Sequence, residues 1–229
     1  MCRDNCTPRL CERGLALIVV LLAMVMLSAL GVALVLATAA EARIAGNFRI
    51  AQQTLYAAEA ASDRALDELA LVADWGALLG GSAVSAFVDG SPGVRRLDDG
   101  SVLDLREVVN LANCQKTAAC SAAEMDAVTG DRPWGPNNPR WMLFAFGPLR
   151  AMLPAGAAST AQYVAVMVGD DPGEVDNDPS RDGASGTPGA GVLALRAEAF
   201  GQGGAHKVVE LTVTRGANAV RVLSWRELR

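Results

Sequence analysis

From Leu15 to Ala40 the sequence carries no charged residue and no proline. At 1.5 Å per residue a helix of that length spans roughly 39 Å, against a hydrocarbon core of about 30 Å. Gly31 is the single glycine inside the run, and membrane helices tolerate glycine. Such a segment finds no partner inside a small domain, so it predicts lipid or the apolar helices of other subunits as its surroundings.

The helical pattern continues past the run. Ile44, Phe48, Ala51, Leu55, Ala58, Ser62, Ala65 and Leu69 recur at alternating spacings of four and three, which is one narrow stripe on a helix. Glu41, Arg43, Arg49, Glu59, Asp63, Arg64, Asp67 and Glu68 fill the other face. No capping signal separates the two stretches, so they read as one helix from about Leu15 to about Val72, roughly 87 Å long. Three fates compete for its first half. It is a permanent anchor, a conventional signal peptide cut after Ala39 in "ATA", or a segment cut on its cytoplasmic side, after Gly14, and then retained. Arg3, Arg9 and Arg13 precede the run and Arg43 and Arg49 follow it, a shallow positive-inside bias. A cut after Ala39 would discard half of a continuous helix.

The stretch from Arg13-Gly14 through the apolar run, then Glu41, "RIAGN" at Arg43–Asn47 and "AAEAA" at Ala57–Ala61, resembles the N-terminal region of PilX-type minor pilins of bacterial type IV pili. "LRAEAFGQGGAHKVVELTVTR" near the C-terminus also looks like the last sheet of such proteins. The resemblance implies a leader at 1–14, a membrane and filament-core half at 15–40, an amphipathic half at 41–72 and a soluble head at 73–229. It implies that prepilin peptidase cuts between Gly14 and Leu15 and methylates the new N-terminus. It also implies an inner-membrane subunit with a periplasmic head, later part of a surface pilus serving motility and adhesion. Its partners would be other minor and major pilins and a tip adhesin. Major pilins carry glutamate at the fifth mature position, where this chain has Val19. A buried lone charge needs a partner, and without that carboxylate the subunit cannot pair with a neighbour's amine. The resemblance therefore points to an initiating or tip-proximal subunit. A pseudopilin of a type II secretion machine is the alternative within the same class, and an exported binding protein or enzyme is the alternative outside it.

The remainder reads as an α+β head in which the long helix packs on an antiparallel sheet. Trp75–Gly93 is a connector. Arg95–Leu97 and Val102–Leu105 flank a turn at Asp98–Gly100. Ser121 with Glu124 is a capping box opening a short helix over Ser121–Val128. "GDRPWGPNNPRW" is loop. Five short β-rich segments follow, Trp141–Gly147, Tyr163–Gly169, Val192–Phe200, Lys207–Arg215 and Ala219–Trp225, with hairpin connections at Gly201–Gly204 and Gly216–Asn218. Val209, Leu211 and Val213 alternate with Val208, Glu210, Thr212 and Thr214, so one face is expected to bury and the other to meet water.

Chemistry-bearing patterns are few. A net charge of −5, with 20 Lys+Arg against 25 Asp+Glu, argues against a nucleic-acid binder, which needs a basic face to replace phosphate counterions. Cys2, Cys6 and Cys11 lack the spacing of a zinc site. Cleavage would leave only Cys114 and Cys120, which can close a small disulfide loop in an oxidising compartment. His206 is the sole histidine, beside a turn, and is read as a surface residue. No phosphate loop or dinucleotide fingerprint occurs, so no catalytic residue and no resident cofactor is assigned and the chain is read as a structural protein. The densest polar cluster is "GDDPGEVDNDPSRDG", with Asp170, Asp171, Glu174, Asp176, Asp178 and Asp182. Hard oxygens at this density suit calcium, but Arg181 stands where an EF-hand loop needs glycine. A solvated acidic loop is the competing reading.

Overall fold

The computed structural model describes residues 12–154, 160–183, 189–216 and 219–228, with side chains from Leu15 onward. Cys2, Cys6, Cys11, most of the proposed leader and the turn at residues 217 and 218 lie outside them. The chain forms two units, Met1–Arg49 and Ile50–Arg229. Helix α1, Glu12–Leu69, supplies the first and enters the second.

Within the second unit, the last turns of α1 lie on a five-stranded antiparallel meander. Its strands are β3 (Met142–Pro148), β4 (Tyr163–Asp170), β5 (Val192–Phe200), β6 (His206–Arg215) and β7 (Val220–Leu228), in that spatial order. Ala57, Ala58, Ala61, Ala65 and Leu69 pack on Phe144, Val164, Val166, Leu195 and Val209 in one buried cluster. Alanines let a helix axis approach a sheet closely, and the two buried hydroxyls in this seam are satisfied inside the helix. Thr54 donates to the Ile50 carbonyl at 2.8 Å and Ser62 to the Ala58 carbonyl at 2.9 Å, the back-bonding open to Ser and Thr in helices. The backbone also comes close at Gly201, where an added Cβ would clash with Thr54 Oγ1.

The stripe expected to bury from Ile44 onward buries later. Ile44 and Phe48 are 68% and 66% exposed, because they lie in the first unit, ahead of the turns that meet the sheet. The sheet's second face also departs from expectation, since it is not left to water. Helix α3 (Leu105–Cys114) and the hairpin of β1 (Val94–Arg96) and β2 (Val102–Asp104) cover it. Leu105, Val108 and Ala112 pack there with Trp141, Phe146, Tyr163, Ala165 and Met167. Strand β4 is buried along its whole length for this reason, and Val208 of β6 is buried too.

Short elements complete the head: α2 (Gly76–Leu79), α4 (Ala122–Met125) and α5 (Leu149–Met152). The capping box at Ser121 and Glu124 is formed in both directions, though its helix is only one turn long. Cys114 and Cys120 are disulfide-bonded, tying the end of α3 to the segment before α4. Arg132 organises the loop that follows. It is buried and donates to the carbonyls of Ala112, Met125 and Pro139. Burial lowers its pKa to about 10, so it remains charged at neutral pH. Asn113 gives and takes a hydrogen bond with the main chain of Trp141, at 3.0 and 2.8 Å.

Candidate functional site

The described residues of the first unit form a bare helix whose large apolar side chains, from Leu15 and Val19 through Leu36 to Ile44 and Phe48, are all exposed. Removing each from water is worth roughly 1.5–3 kcal/mol, so a run of this length is a surface meant for lipid or for other helices. It is long and apolar enough to cross a membrane. Its details fit such a medium. Thr38 Oγ1 donates back to the carbonyls of Leu34 and Val35 at 3.1 and 3.0 Å, so its hydroxyl needs no water. Added Cβ atoms at Gly31 and Gly46 would meet nothing within 4 Å. Each glycine weakens the helix by roughly 0.5–1 kcal/mol relative to alanine, and no contact among the described residues offsets that. Small residues are what closely packed helices of neighbouring chains require.

Gly14 lies inside α1, one residue before Leu15, and the helix runs without a break through both this bond and the Ala39–Ala40 bond. Val19 is exposed on the same helix.

The acidic segment divides into two populations. Asp170, at the end of β4, and Glu174 are buried. Burial first, and then the Glu174 charge, push the Asp170 carboxyl up to about 8. Its Oδ1 accepts no hydrogen bond from the described residues, while Glu174 accepts from the Gly183 amide at 3.0 Å. Asp171 and the remaining candidates shape the chain. The Asp171 carbonyl takes the Glu174 amide at 3.0 Å. Asp176 takes the Asp178 amide at 2.8 Å, Asp178 takes the Ser180 hydroxyl, and Asp182 takes the Gly191 amide at 2.7 Å. Burial raises the Asp182 pKa as well. Among the described residues no three His, Cys, Asp or Glu side chains come together to hold a metal.

A second polar cluster, on the α3-covered face of the sheet, depends on strand register. Arg196 of β5 stands opposite Glu210 of β6, which stands opposite Arg226 of β7. Arg196 donates to Glu198 at 2.7 Å and to Glu210 at 2.8 Å, and Arg226 Nε donates to Glu210 at 3.0 Å. His206 Nε2 lies 2.8 Å from Glu198, and its ring stacks on Phe200 at 4.7 Å. Burial alone would raise the Glu198 pKa, but the His206 contact and the Arg196 charge outweigh it and hold the carboxyl below its usual range. His206 is exposed, as expected, and its Nε2 is engaged by Glu198.

Residues 13–63 match the family model described as PilX N-terminal. That stretch contains the apolar run and the first turns of the packed half of α1, and it stops before the sheet. No curated protein and no solved structure matches the chain.

Proposed function

We propose that the chain is a minor subunit of a type IV pilus that works by assembly rather than by catalysis. The observation that carries the reading is the family match at residues 13–63, laid on a helix that is apolar and exposed in its first part and buried against a sheet in its last turns. Leu15–Ala40 would hold the subunit in the inner membrane and then pack among the helices of other pilins, with the head periplasmic before assembly. Prepilin peptidase would cut between Gly14 and Leu15 and methylate the Leu15 amine. Val19 brings no carboxylate to the fifth mature position, which suits an initiating or tip-proximal place, next to other minor pilins and a tip adhesin.

Intact-mass measurement of the chain purified from membranes tests this. The expected species starts at Leu15 and is one methyl group heavier than its sequence. Gly14→Asp should leave nearly all of the chain as precursor. A chain starting at Ala40, or one never cut, would overturn the reading.

A calcium ion in the acidic loop is a second proposal, supported by the buried Oδ1 of Asp170 beside Glu174. Two carboxylates would have to be completed by main-chain carbonyls or water, because calcium takes about 6–8 oxygens. Calcium should then raise the melting temperature of the full chain in detergent, and a chelator should reverse the rise. An unchanged melting temperature would return the segment to a solvated acidic loop.

A further inference from the structure

The two edges of the five-stranded sheet are treated differently. The β3 edge is closed by residues 85–89. The Ser85 amide donates to the Phe144 carbonyl at 2.8 Å, the Phe146 amide to Phe87 at 3.0 Å, and the Asp89 amide to Phe146 at 2.9 Å, with a parallel bridge at Val88 and Phe146. The other edge, β7, is a nine-residue strand with β6 on one side and no strand on its other side among the described residues. An edge of this length presents a row of unpaired main-chain donors and acceptors, and proteins commonly blunt such edges with charge.

Charge stands on both faces of β7. Arg221 and Arg226 stand opposite Thr214 and Glu210, on the face where Arg226 is held by Glu210. The other face of β7 carries Glu227, paired with Lys207 of β6, and then Val222 and Trp225, opposite the core residues Val213 and Leu211. These two side chains are 43% and 48% exposed. Trp225 shares a groove with Glu59, Ser62 and Asp63 of α1. Neither Glu59 nor Asp63 forms an ion pair among the described residues, whereas the nearby Arg64 is used by Asp67 and Glu68. An open strand edge, an exposed indole and two uncompensated carboxylates therefore lie along one groove.

We propose that β7 docks an extended segment of another protein as a sixth strand. Every second residue of a strand shares a face, so the groove-facing residues of the incoming segment are apolar where they cover Val222 and Trp225 and lysine or arginine where they reach Glu59 and Asp63, while the residues between them are uncharged, because Arg221 and Arg226 stand on the opposite face. Main-chain pairing supplies affinity in this mode and the alternate side chains supply selectivity. The basic character follows from the groove's own charge, since like charges across an interface select against a partner. The docking does not depend on how the N-terminus is processed.

The test is hydrogen exchange on the full-length chain in detergent micelles, with the synthetic nine-residue peptide Val-Thr-Lys-Thr-Val-Thr-Lys-Thr-Val as the probe, which sets valine and lysine on one face. Amides of residues 220–228 should exchange at least about ten-fold more slowly with the peptide, and the same peptide with glutamate in place of lysine should bind about ten-fold more weakly. The double variant Glu59→Gln, Asp63→Asn changes only groove-lining helix side chains and should lose that discrimination while β7 protection by the lysine peptide persists in part. No slowing in β7, or equal binding of both peptides, would overturn the proposal. So would β7 protection that grows with protein concentration alone, because the occupant would then be a second copy of the chain.

Discussion

Trp75→Ala should lower the unfolding free energy of the head by about 3–5 kcal/mol, the cost of truncating a large aromatic residue in a core. Trp75 is 1% exposed and belongs to the cluster that joins α1 to the sheet. It also has a second task. The last carbonyls of a helix lack intrahelical donors, and α1 has no basic residue in its last turn. Trp75 Nε1 donates to the Leu69 carbonyl at 3.3 Å. Arg215, at the end of β6, lies 4.6 Å over the Trp75 ring and donates to the carbonyls of Val72 and Ala73 at 2.9 and 2.7 Å. Removing the indole thus opens a cavity, takes from the Leu69 carbonyl one of its two donors, the Val72 amide being the other, and takes away the plate on which Arg215 rests. Total stabilities are typically about 5–15 kcal/mol, so the loss is a large fraction of the whole. Urea unfolding of the full chain in mild detergent measures it, with tryptophan fluorescence as the head-specific signal, since Trp134, Trp141 and Trp225 all lie in the head. Trp75→Phe keeps most of the packing and loses the hydrogen bond, so it should cost less than half as much. A loss under about 1 kcal/mol for the alanine variant would mean that the end of α1 is held elsewhere.

Much of this arrangement was legible in the sequence, and the places where legibility ended have physical causes. Helix α1 is visible because nothing between Leu15 and Leu69 breaks a 3.6-residue period. The stripe could not say where its cover begins, since Ile44 and Phe48 continue the same spacing as Ala58 and Ala65. Only the placement of the sheet separates the exposed part from the buried part. The strand segments, the Gly201–Gly204 connection and the capping box at Ser121 all carry local signals and are found where those signals stand. Helix α3 carried one too. Asp104 is its N-cap, accepting the Arg106 amide at 2.9 Å, and Leu105, Val108 and Ala112 repeat at helical spacing. That signal was masked by the short strand that ends at Asp104. Missing α3 made the second face of the sheet look solvent-facing, although Ala165 and Met167 on β4 are apolar there. The Arg196–Glu210–Arg226 row is different in kind. It exists only through the register of three strands, and spacing along the chain contains no trace of it.

Asp170→Asn should make the protein more stable at pH 8, on the order of 1–3 kcal/mol, with the gain vanishing toward pH 4. The direction follows from the proton count. In the fold, burial and the Glu174 charge raise the Asp170 pKa to about 8, whereas an unfolded aspartate titrates near 3.9. Between those values the folded chain holds a proton that the unfolded chain has released. Stability therefore falls as pH rises from about 4 to about 8 and levels off above. Asparagine cannot ionise, so the variant lacks this slope, while the other carboxylates contribute equally to both proteins and cancel in the difference. Melting temperatures of the full chain in detergent across that range measure it, and the gain at pH 8 should amount to several degrees for a domain of this size. The experiment also bears on calcium. Parallel curves for the two proteins would mean that Asp170 is ionised in the fold at neutral pH. A carboxylate so deeply buried, only 3% exposed, needs a nearby positive charge to stay ionised, and a bound cation would supply it. Converging curves would instead mean that a proton occupies the place, and that the loop needs no metal to close over the end of β4.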